Sequence, residues 1–159
     1  MGVTAKSPYH HGDLRDALLA AAEAALAELP LQQVTLREIA RRANVSHAAP
    51  KHHFSSLGQL LGEMAARGFE KFVASLDEAA DRASDQSPDA RLAAMVRAYL
   101  RFAAENKAVY GLMFGKREHA VETTPHLAVA MLAAWTQLEE QVAAVVGAGR
   151  ATYGAVSVW

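Results

Sequence analysis

The sequence has 159 residues, a formal net charge of −1 and no cysteine. Its length fits one or two small domains, and its near-neutral charge excludes a polycation that coats nucleic acid without selection. The lack of cysteine excludes disulfides and thiolate metal sites. The most apolar run, residues 127–135, is far shorter than the ~20 residues that span a bilayer, and the N-terminus shows no signal-peptide hydrophobic region. We therefore expect a cytoplasmic protein without a membrane segment.

Abundant alanine, with proline mostly at segment borders, favours helices throughout the chain. The first helix is predicted over residues 12–30, with acidic side chains in its first turn, where the helix dipole favours them. An arm ahead of it carries cationic, aromatic and imidazole side chains: Lys6, Tyr9, His10 and His11. That arm either approaches phosphates or a minor groove, or is a frayed tail.

Residues 35–61 predict two short helices joined by a tight turn, followed by the start of a third helix. Thr35 and Glu38 have the spacing of a capping box at the start of the first helix. Asn44 tolerates the left-handed conformation that ends a helix, so it is predicted at the turn. Ser56 stands three residues before a glutamine and predicts a second capping box, at the start of the third helix.

The second of these short helices is predicted over residues 47–54, with Ser46 as its N-cap. Basic and imidazole side chains gather on it, and residues 35–56 carry four Lys or Arg against one acid, a net of about +3. This layout is typical of a helix-turn-helix, whose second helix enters the DNA major groove. The alternative is an ordinary helical hairpin on the protein surface.

A long helix is predicted from residue 57 to about residue 83, with one apolar face sustained for about seven turns. Shorter helices follow at residues 88–105, 108–114 and 125–146, with a polar loop at 116–123. The first and last of them open on a Ser-Pro and a Thr-Pro pair, an N-cap followed by proline at the first helical position. On the helix at 88–105, the residues predicted to face inward are Leu92, Met95, Val96, Tyr99, Leu100 and Phe102.

Residues 9–72 resemble the N-terminal DNA-binding domain of the TetR family of transcriptional regulators. The resemblance is carried by YHHGDL at 9–14, TLREIARRANVS at 35–46, HAAPKHHF at 47–54 and the SxxQLL opening of the long helix at 56–61. The run SHAAPKHHF is similar to a subgroup of that family with an alanine–proline recognition helix. This part covers roughly two-fifths of the chain, and motif matches of this kind are hypotheses to be checked by their structural context.

The resemblance implies an all-α fold, with a three-helix helix-turn-helix domain at the N-terminus and a helical ligand-binding and dimerisation domain after it. We expect the DNA-binding domain at residues 1–56 and the regulatory domain at residues 57–159. The second domain is one or two helices shorter at the C-terminus than full-length regulators of this family, whose last helices form the dimer. Either the chain is truncated, or its dimer interface is rebuilt from the helix at 125–146 and the tail.

The implied function is a sequence-specific DNA-binding regulator of transcription, a repressor relieved by a small-molecule inducer. Its partners would be a palindromic operator in double-stranded DNA, an unidentified inducer and a second copy of the chain. No cofactor and no metal are expected. An enzyme is not expected either, because the sequence has no nucleophile-elbow motif, no cysteine nucleophile and no Gly-rich phosphate loop. The alternative is a helical ligand- or partner-binding protein whose DNA-binding head has decayed.

The resemblance also implies a DNA-contacting surface. Thr35 would contact a phosphate, and the small side chains of Ala48 and Ala49 would touch a thymine methyl. Phe54 would anchor the second short helix in the core. The complete set of predicted DNA-binding residues is Thr35, Arg37, Ser46, His47, Ala48, Ala49, Lys51, His52 and His53.

Three residues depart from the family pattern. Lys51 stands where the family commonly has tyrosine, and Leu57 stands where many members have a phosphate-binding lysine. Pro50 removes an amide near the first turn, where the loss is small. One phosphate contact fewer is expected to weaken DNA binding and to reduce its salt dependence by about one unit of slope.

Large and adaptable side chains follow in the second half of the chain, where antiparallel helices can enclose a cavity. The residues predicted to bind a ligand are Tyr99, Phe102, Tyr110, Met113 and Trp135. The alternative is that these residues only fill a helical core, which is the usual role of large apolar side chains.

Overall fold

The computed structural model describes residues 11–115 and 121–146. Within those ranges the chain forms α-helices and short 3-10 helices and contains no strand, so the predicted all-α fold is confirmed. The α-helices are α1 (His11–Glu28), α2 (Leu36–Arg42), α3 (Leu57–Asp81), α4 (Pro88–Glu105), α5 (Lys107–Phe114) and α6 (Pro125–Val146). The predictions for the N-terminal arm, for most of the loop after α5 and for the tail after α6 lie outside the described residues.

Helix α3 is the centre of the molecule. Every residue from 60 to 66 is buried, as are Phe69, Phe72 and Leu76 further along the helix. It packs against α1, α4, α5 and α6. The buried residues form one continuous cluster that runs from Leu18 of α1 to Ala134 of α6. The helix therefore belongs to the packing of both halves of the chain.

Local sequence signals set the helix starts as predicted. The backbone N–H of Glu38 donates to Thr35 Oγ1 at 3.1 Å, and that of Gln59 donates to Ser56 Oγ at 2.9 Å. The Ser-Pro and Thr-Pro pairs cap α4 and α6 in the same way. The backbone N–H of Ala90 donates to Ser87 Oγ at 3.3 Å, and that of Leu127 donates to Thr124 Oγ1 at 3.1 Å. Asn44 has a φ of 54°, the left-handed conformation predicted for the turn.

The reciprocal halves of the two capping boxes differ from the prediction. The carboxylate of Glu38 binds Arg41 and Arg42 instead of returning to the Thr35 amide. The Gln59 side chain accepts from the backbone N–H of Ser55 at 2.6 Å, one residue before the cap. The Glu38 carboxylate therefore forms pairs within α2, and the Gln59 side chain ties the first turn of α3 to the residue before its cap.

The segment after the turn is tighter than predicted. Residues 47–54 contain a short 3-10 helix, Ala49–His52, in place of an α-helix, and the Ser46 side chain makes no cap. The ring of Pro50 disfavours the α conformation for the residue before it, which limits the helix that can form there. The Pro50 carbonyl accepts from the N–H groups of both His53 and Phe54, at 3.0 and 2.8 Å, which closes the segment.

Two inward-facing predictions on α4 are wrong. Val96 is 49% exposed and Leu100 is 60% exposed, whereas Met95 and Phe102 are buried. The reason is that α4 packs against α3 and α6 along one side, and a helix covered on one side buries only a stripe of its surface. The prediction drew that stripe too wide.

Gly68 lies where α5 crosses α3, and its lack of a side chain permits the crossing. A Cβ at this position would stand 2.5 Å from Val109 Cγ1 and 2.7 Å from Met113 Sδ, whereas a Cβ at Gly111 would meet nothing within 4 Å. We expect Gly68→Ala to lower the free energy of unfolding by about 1–3 kcal/mol through overpacking, because β-branched Val109 cannot move aside easily. The matched variant Gly111→Ala should be neutral or stabilising by up to ~1 kcal/mol. Urea unfolding followed by circular dichroism measures both, and equal stabilities would contradict the close α3–α5 packing.

Candidate DNA-binding surface and an apolar cavity

Helix α2 and residues 46–54, here called the recognition segment, form the candidate surface. The segment is anchored by Phe54, which is 1% exposed, and by Pro50, which is fully buried. The Arg15 guanidinium of α1 lies over the Phe54 ring at 5.5 Å from its centroid. Phe54 therefore holds the core position predicted for it, whereas several residues before it, such as Ala48 and Lys51, are exposed.

The predicted DNA-binding residues differ in position and in exposure. Thr35, Arg37 and His47 line one open groove between the start of α2 and the start of the recognition segment, and Arg41 borders it. Ala49 and His53 are half-buried. The remaining predicted residues are exposed: Ser46, Ala48, Lys51 and His52. Of these, none lines the groove itself.

Acidic side chains of the protein bind two of the four cations counted on this surface. Glu38 binds Arg41 at 2.7 and 2.8 Å and Arg42 at 2.8 Å, and Arg42 also binds Glu28 at 2.8 Å. Hydrogen bonds from Arg41 first, and then from Arg42, lower the pKa of Glu38 to about 2. The i+3 and i+4 spacing from Glu38 is the sequence signal for these pairs.

Two cations of the surface are left for an external anion. Arg37 and Lys51 are exposed, and the side chain of neither makes a hydrogen bond or ion pair with another residue in the described part of the chain. The groove residue Thr35 uses its hydroxyl to cap α2, and its oxygen lies beside the unpaired N–H groups of the first turn. A helix N-terminus with a nearby free cation is suited to bind a phosphate oxygen.

Metal binding and membrane insertion find no support in the residues described. Within residues 11–115 and 121–146, no group of three or more His, Cys, Asp or Glu side chains could hold a metal ion. None of the helices in these ranges is long and apolar enough to cross a membrane.

A second feature is an apolar cavity of about 260 Å³ between α3, α4 and α6. It is lined by Phe72, Leu76, Leu92, Met95, Val96, Tyr99, Leu100, Phe114, Ala134, Leu138 and Gln141. No charged side chain is among these residues. The exposed Val96 and Leu100 belong to its wall, so the exposure of those two residues marks the edge of the cavity.

Of the residues predicted to bind a ligand, Tyr99 alone lines this cavity. Phe102 and Met113 are buried elsewhere in the core, and Tyr110 and Trp135 are half-buried outside the cavity wall. The residues that sequence reasoning missed are mostly aliphatic, such as Leu92 and Leu138. Leu92 and Leu138 stand at helical spacing from Tyr99 and Ala134, and this spacing indicates a shared helix face. The prediction favoured large aromatic residues and so left these leucines out.

The Tyr99 hydroxyl is held by that of Tyr110 at 2.6 Å. Burial, together with the hydrogen bond to Tyr110, raises the pKa of Tyr99 to about 12. The phenol is therefore neutral at physiological pH. The Phe72 ring packs edge-on against Tyr99 with centroids 5.4 Å apart, which fixes the orientation of the phenol at the cavity wall.

The chain is similar to a known protein family and to a solved structure. Residues 18–64 match the family described as bacterial regulatory proteins, tetR family. A solved structure, described as a protein with unknown function from Rhodococcus sp. RHA1, is 35% identical to this chain with a TM-score of 0.78. The similarity covers 96% of this chain and 80% of that one. A search of curated proteins gives no match.

Glu38 is expected to make the stability of α2 depend on pH. Its folded-state pKa of about 2 lies below the ordinary value of 4.5, so its ion pairs stabilise the fold fully above pH 4.5 and are lost as the pH falls toward 2. Glu38→Gln should therefore lower the urea midpoint at about pH 7 and change it little at about pH 2. The effect should shrink at ~1 M salt, because these charges are exposed.

The matched control for this test is Glu78→Gln, which removes the exposed ion pair between Glu78 and Arg82, a pair with a single arginine. It should cost less than Glu38→Gln at neutral pH. If the urea midpoints of wild type and Glu38→Gln differ by the same amount at both pH values, the stabilisation does not come from ionised Glu38.

Proposed function

Because the chain belongs to the tetR family of bacterial regulatory proteins, we propose that this DNA-binding regulator of transcription is a repressor released from its operator by an apolar small molecule. The observation that carries the proposal is the position of α3. The helix begins three residues after the anchor Phe54, and its residues Phe72 and Leu76 line the apolar cavity. One rigid element thus joins the recognition segment to a site for a ligand.

In this proposal the DNA-binding domain is residues 1–56 and the regulatory domain is residues 57–159. The chain also belongs, in this proposal, to the family subgroup with an alanine–proline recognition helix, which the run SHAAPKHHF supports. Thr35, Arg37 and Lys51 contact phosphates, with His52 and His53 beside them. Ser46, His47, Ala48 and Ala49 face the base edges in the major groove.

The proposed active species is a homodimer. Two recognition segments must reach successive major grooves on one side of the duplex, which lie about 34 Å apart, so the operator is palindromic. No catalytic step is part of this mechanism. Because the chromosome is the target, the protein would act in the cytoplasm.

The cavity favours a neutral, lipophilic ligand. Among the residues that the structure describes, no wall residue carries a charge that could compensate the lost hydration of an ion, and an unpaired buried charge is costly. Tyr99 stays protonated, so it can donate or accept one hydrogen bond but cannot neutralise a cation. Gln141 is the other side chain of the wall that can hydrogen-bond. A volume of about 260 Å³ limits the ligand to a small molecule.

Ligand and operator oppose each other by linkage in this mechanism. The ligand favours one placement of the recognition segments, and operator DNA favours another. The ligand therefore lowers the affinity for the operator, and the operator lowers the affinity for the ligand by the same factor. The ligand acts through its difference in affinity for the two conformations and not through its affinity alone.

The second candidate function is a helical ligand- or partner-binding protein with a decayed DNA-binding head. The observation that favours it is the neutralisation of Arg41 and Arg42 by Glu38 and Glu28, which leaves few free cations on the surface. Leu57, at a position where many family members have a phosphate-binding lysine, points in the same direction. Sequence-specific binding to an operator distinguishes the two functions.

DNA binding is tested by fluorescence anisotropy with the fragment upstream of the gene and with scrambled DNA, at two salt concentrations. We expect Arg37→Ala and Lys51→Ala each to weaken binding and to reduce the salt slope by about one, because each removes one phosphate contact. The control Arg101→Ala, an exposed arginine on α4, should bind like the wild type. Equal, weak and salt-labile binding of the wild type to both fragments would favour the second candidate function.

Ligand chemistry is tested with two fluorescent probes that differ in a sulfonate, neutral N-phenyl-1-naphthylamine and anionic 1-anilinonaphthalene-8-sulfonate. We expect tighter binding of the neutral probe, because the cavity cannot compensate a charge. Ala134→Phe should abolish that binding by filling the cavity from a position only 2% exposed. The matched variant Ala133→Phe, on the exposed face of the same helix, should leave it unchanged. Preference for the anionic probe would contradict the assignment.

A further inference from the structure

The segment ahead of α6 lies directly against the first turns of α3. The backbone N–H of Glu122 donates to the Gly58 carbonyl at 3.0 Å, and the Ser56 hydroxyl donates to the Glu122 carboxylate. A Cβ at Gly62 would overlap the carbonyl oxygen of Glu122, so glycine is required for this approach. Ser56 is the N-cap of α3 and stands two residues after Phe54. The start of α6 is therefore docked where the recognition segment ends.

Glu63 of α3 is a buried carboxylate at the centre of this contact, with 8% of its surface exposed. It accepts hydrogen bonds from Arg15 of α1 and from the His126 ring of α6. Burial raises the pKa of Glu63, but hydrogen bonds from His126, Thr124 and Arg15 outweigh that effect and lower it. The carboxylate is thus ionised and joins three parts of the chain.

The contact continues to the recognition segment. The same Arg15 guanidinium that binds Glu63 lies over the ring of Phe54, which anchors that segment. A path of direct contacts therefore runs from His126 through Glu63 and Arg15 to Phe54. All of its members are partly or fully buried, so solvent screens their interactions less than it screens surface pairs.

His126 holds two turns of α3 at once. Its Nδ1 lies 3.0 Å from Glu63 and its Nε2 lies 2.8 Å from Glu70. A neutral imidazole has one N–H, so both nitrogens can donate to carboxylates only when the ring is protonated. Hydrogen bonds to Glu70 first, and then to Glu63, raise the pKa of His126 above its ordinary value of 6.5. The charged groups around the ring are these two glutamates of α3 and, beyond Glu63, Arg15 of α1.

Helix α6 carries this histidine and the cavity wall on one rigid element. Ala134, Leu138 and Gln141 line the cavity, and the first of them lies about 12 Å along the helix from His126. A ligand that displaces α6 therefore changes the position of the imidazole relative to the two glutamates. Because hydrogen bonds weaken steeply with distance and angle, a small displacement is sufficient to break one of them.

We propose that His126 is a positioning residue that couples the cavity to the recognition segment: its imidazolium ties α6 to α3 through Glu63 and Glu70, and Glu63 passes the constraint to Arg15 and Phe54. This inference rests on the proposed function, of which it specifies the regulation. Ligand binding at the cavity breaks the tie, and the recognition segment then loses the placement that operator DNA selects. Loss of the proton breaks one of the two hydrogen bonds and has the same effect without ligand.

The direction of the pH effect follows from the raised pKa. The tie is complete below about pH 6.5, where the ring is protonated even in the unfolded chain, and it is lost as the pH rises through the higher pKa of the folded state. Coupling between ligand and operator is therefore expected to be strong in mildly acidic solution and weak in alkaline solution. His47, His52 and His53 also lie on the proposed DNA surface, so operator affinity alone is not a sufficient measure.

The measured quantity is the coupling factor. It is the dissociation constant of N-phenyl-1-naphthylamine with saturating operator DNA divided by the constant without DNA. It is measured at pH values on both sides of the His126 pKa. We expect at least a fivefold factor in the wild type at the acidic end, the lower range of typical allosteric coupling, and a fall toward one at the alkaline end. His126→Gln should give a factor near one at every pH. His126→Arg, which keeps a cation that reaches two carboxylates, should restore a factor that no longer depends on pH.

The matched control is Lys71→Gln, which removes an ion pair between α3 and Glu23 of α1 that does not involve α6. It should keep the wild-type factor and its pH dependence. A wild-type factor that is large but unchanged by pH and by His126→Gln would overturn the role of His126 while leaving the proposed function intact. A wild-type chain that binds no operator, or shows no coupling at any pH, would overturn the proposed function and this inference with it.

Discussion

The burial of α3 is the constraint on which the rest of the structure depends. Residues 60–66 are buried around the whole circumference of the helix, so other elements must approach it from every side. Small residues make this possible: Gly62 admits the segment ahead of α6, and Gly68 admits α5. A helix enclosed in this way cannot shift without moving its neighbours, because protein interiors are close-packed. In the proposed mechanism, movement at the cavity end is transmitted along α3 to the end that holds the recognition segment.

The same constraint explains the polar contacts inside the molecule. Glu63 lies in the enclosed stretch of α3, and an isolated buried carboxylate is strongly unfavourable. Arg15 and His126 compensate it from two other helices. Such a group adds little net stability, since desolvation offsets much of the attraction, but removal of one partner is costly. This asymmetry makes the contact specific for one arrangement of α1, α3 and α6.

On the candidate DNA-binding surface, most charged side chains pair with one another. Glu38 and Glu28 compensate Arg41 and Arg42, so most of the charge in α2 is used in contacts within the protein. Arg37 and Lys51 remain for phosphates, while the residues turned outward by the recognition segment are small or contain imidazole. A surface with few free cations gains less from counterion release, so in the proposed function the operator is selected mainly through base contacts and DNA shape.

Local chemistry made much of the fold predictable. Thr35, Ser56, Ser87 and Thr124 cap the helices that they were predicted to cap, because a hydroxyl and an amide three residues later are neighbours in any helix start. Asn44 and the core position of Phe54 were predicted for similar reasons, from backbone preference and from family resemblance. The length of α3 followed from the period of its apolar face.

The sequence by itself therefore determined where the α-helices start and which family residues 18–64 match, since those properties depend on residues close together in the chain. Tertiary structure decided which side of α4 is covered, which residues line the cavity, and that Glu63 meets both Arg15 and His126. Those partners are 48 and 63 residues away from it along the chain. No periodicity encodes such a meeting, because it depends on how whole helices pack against one another.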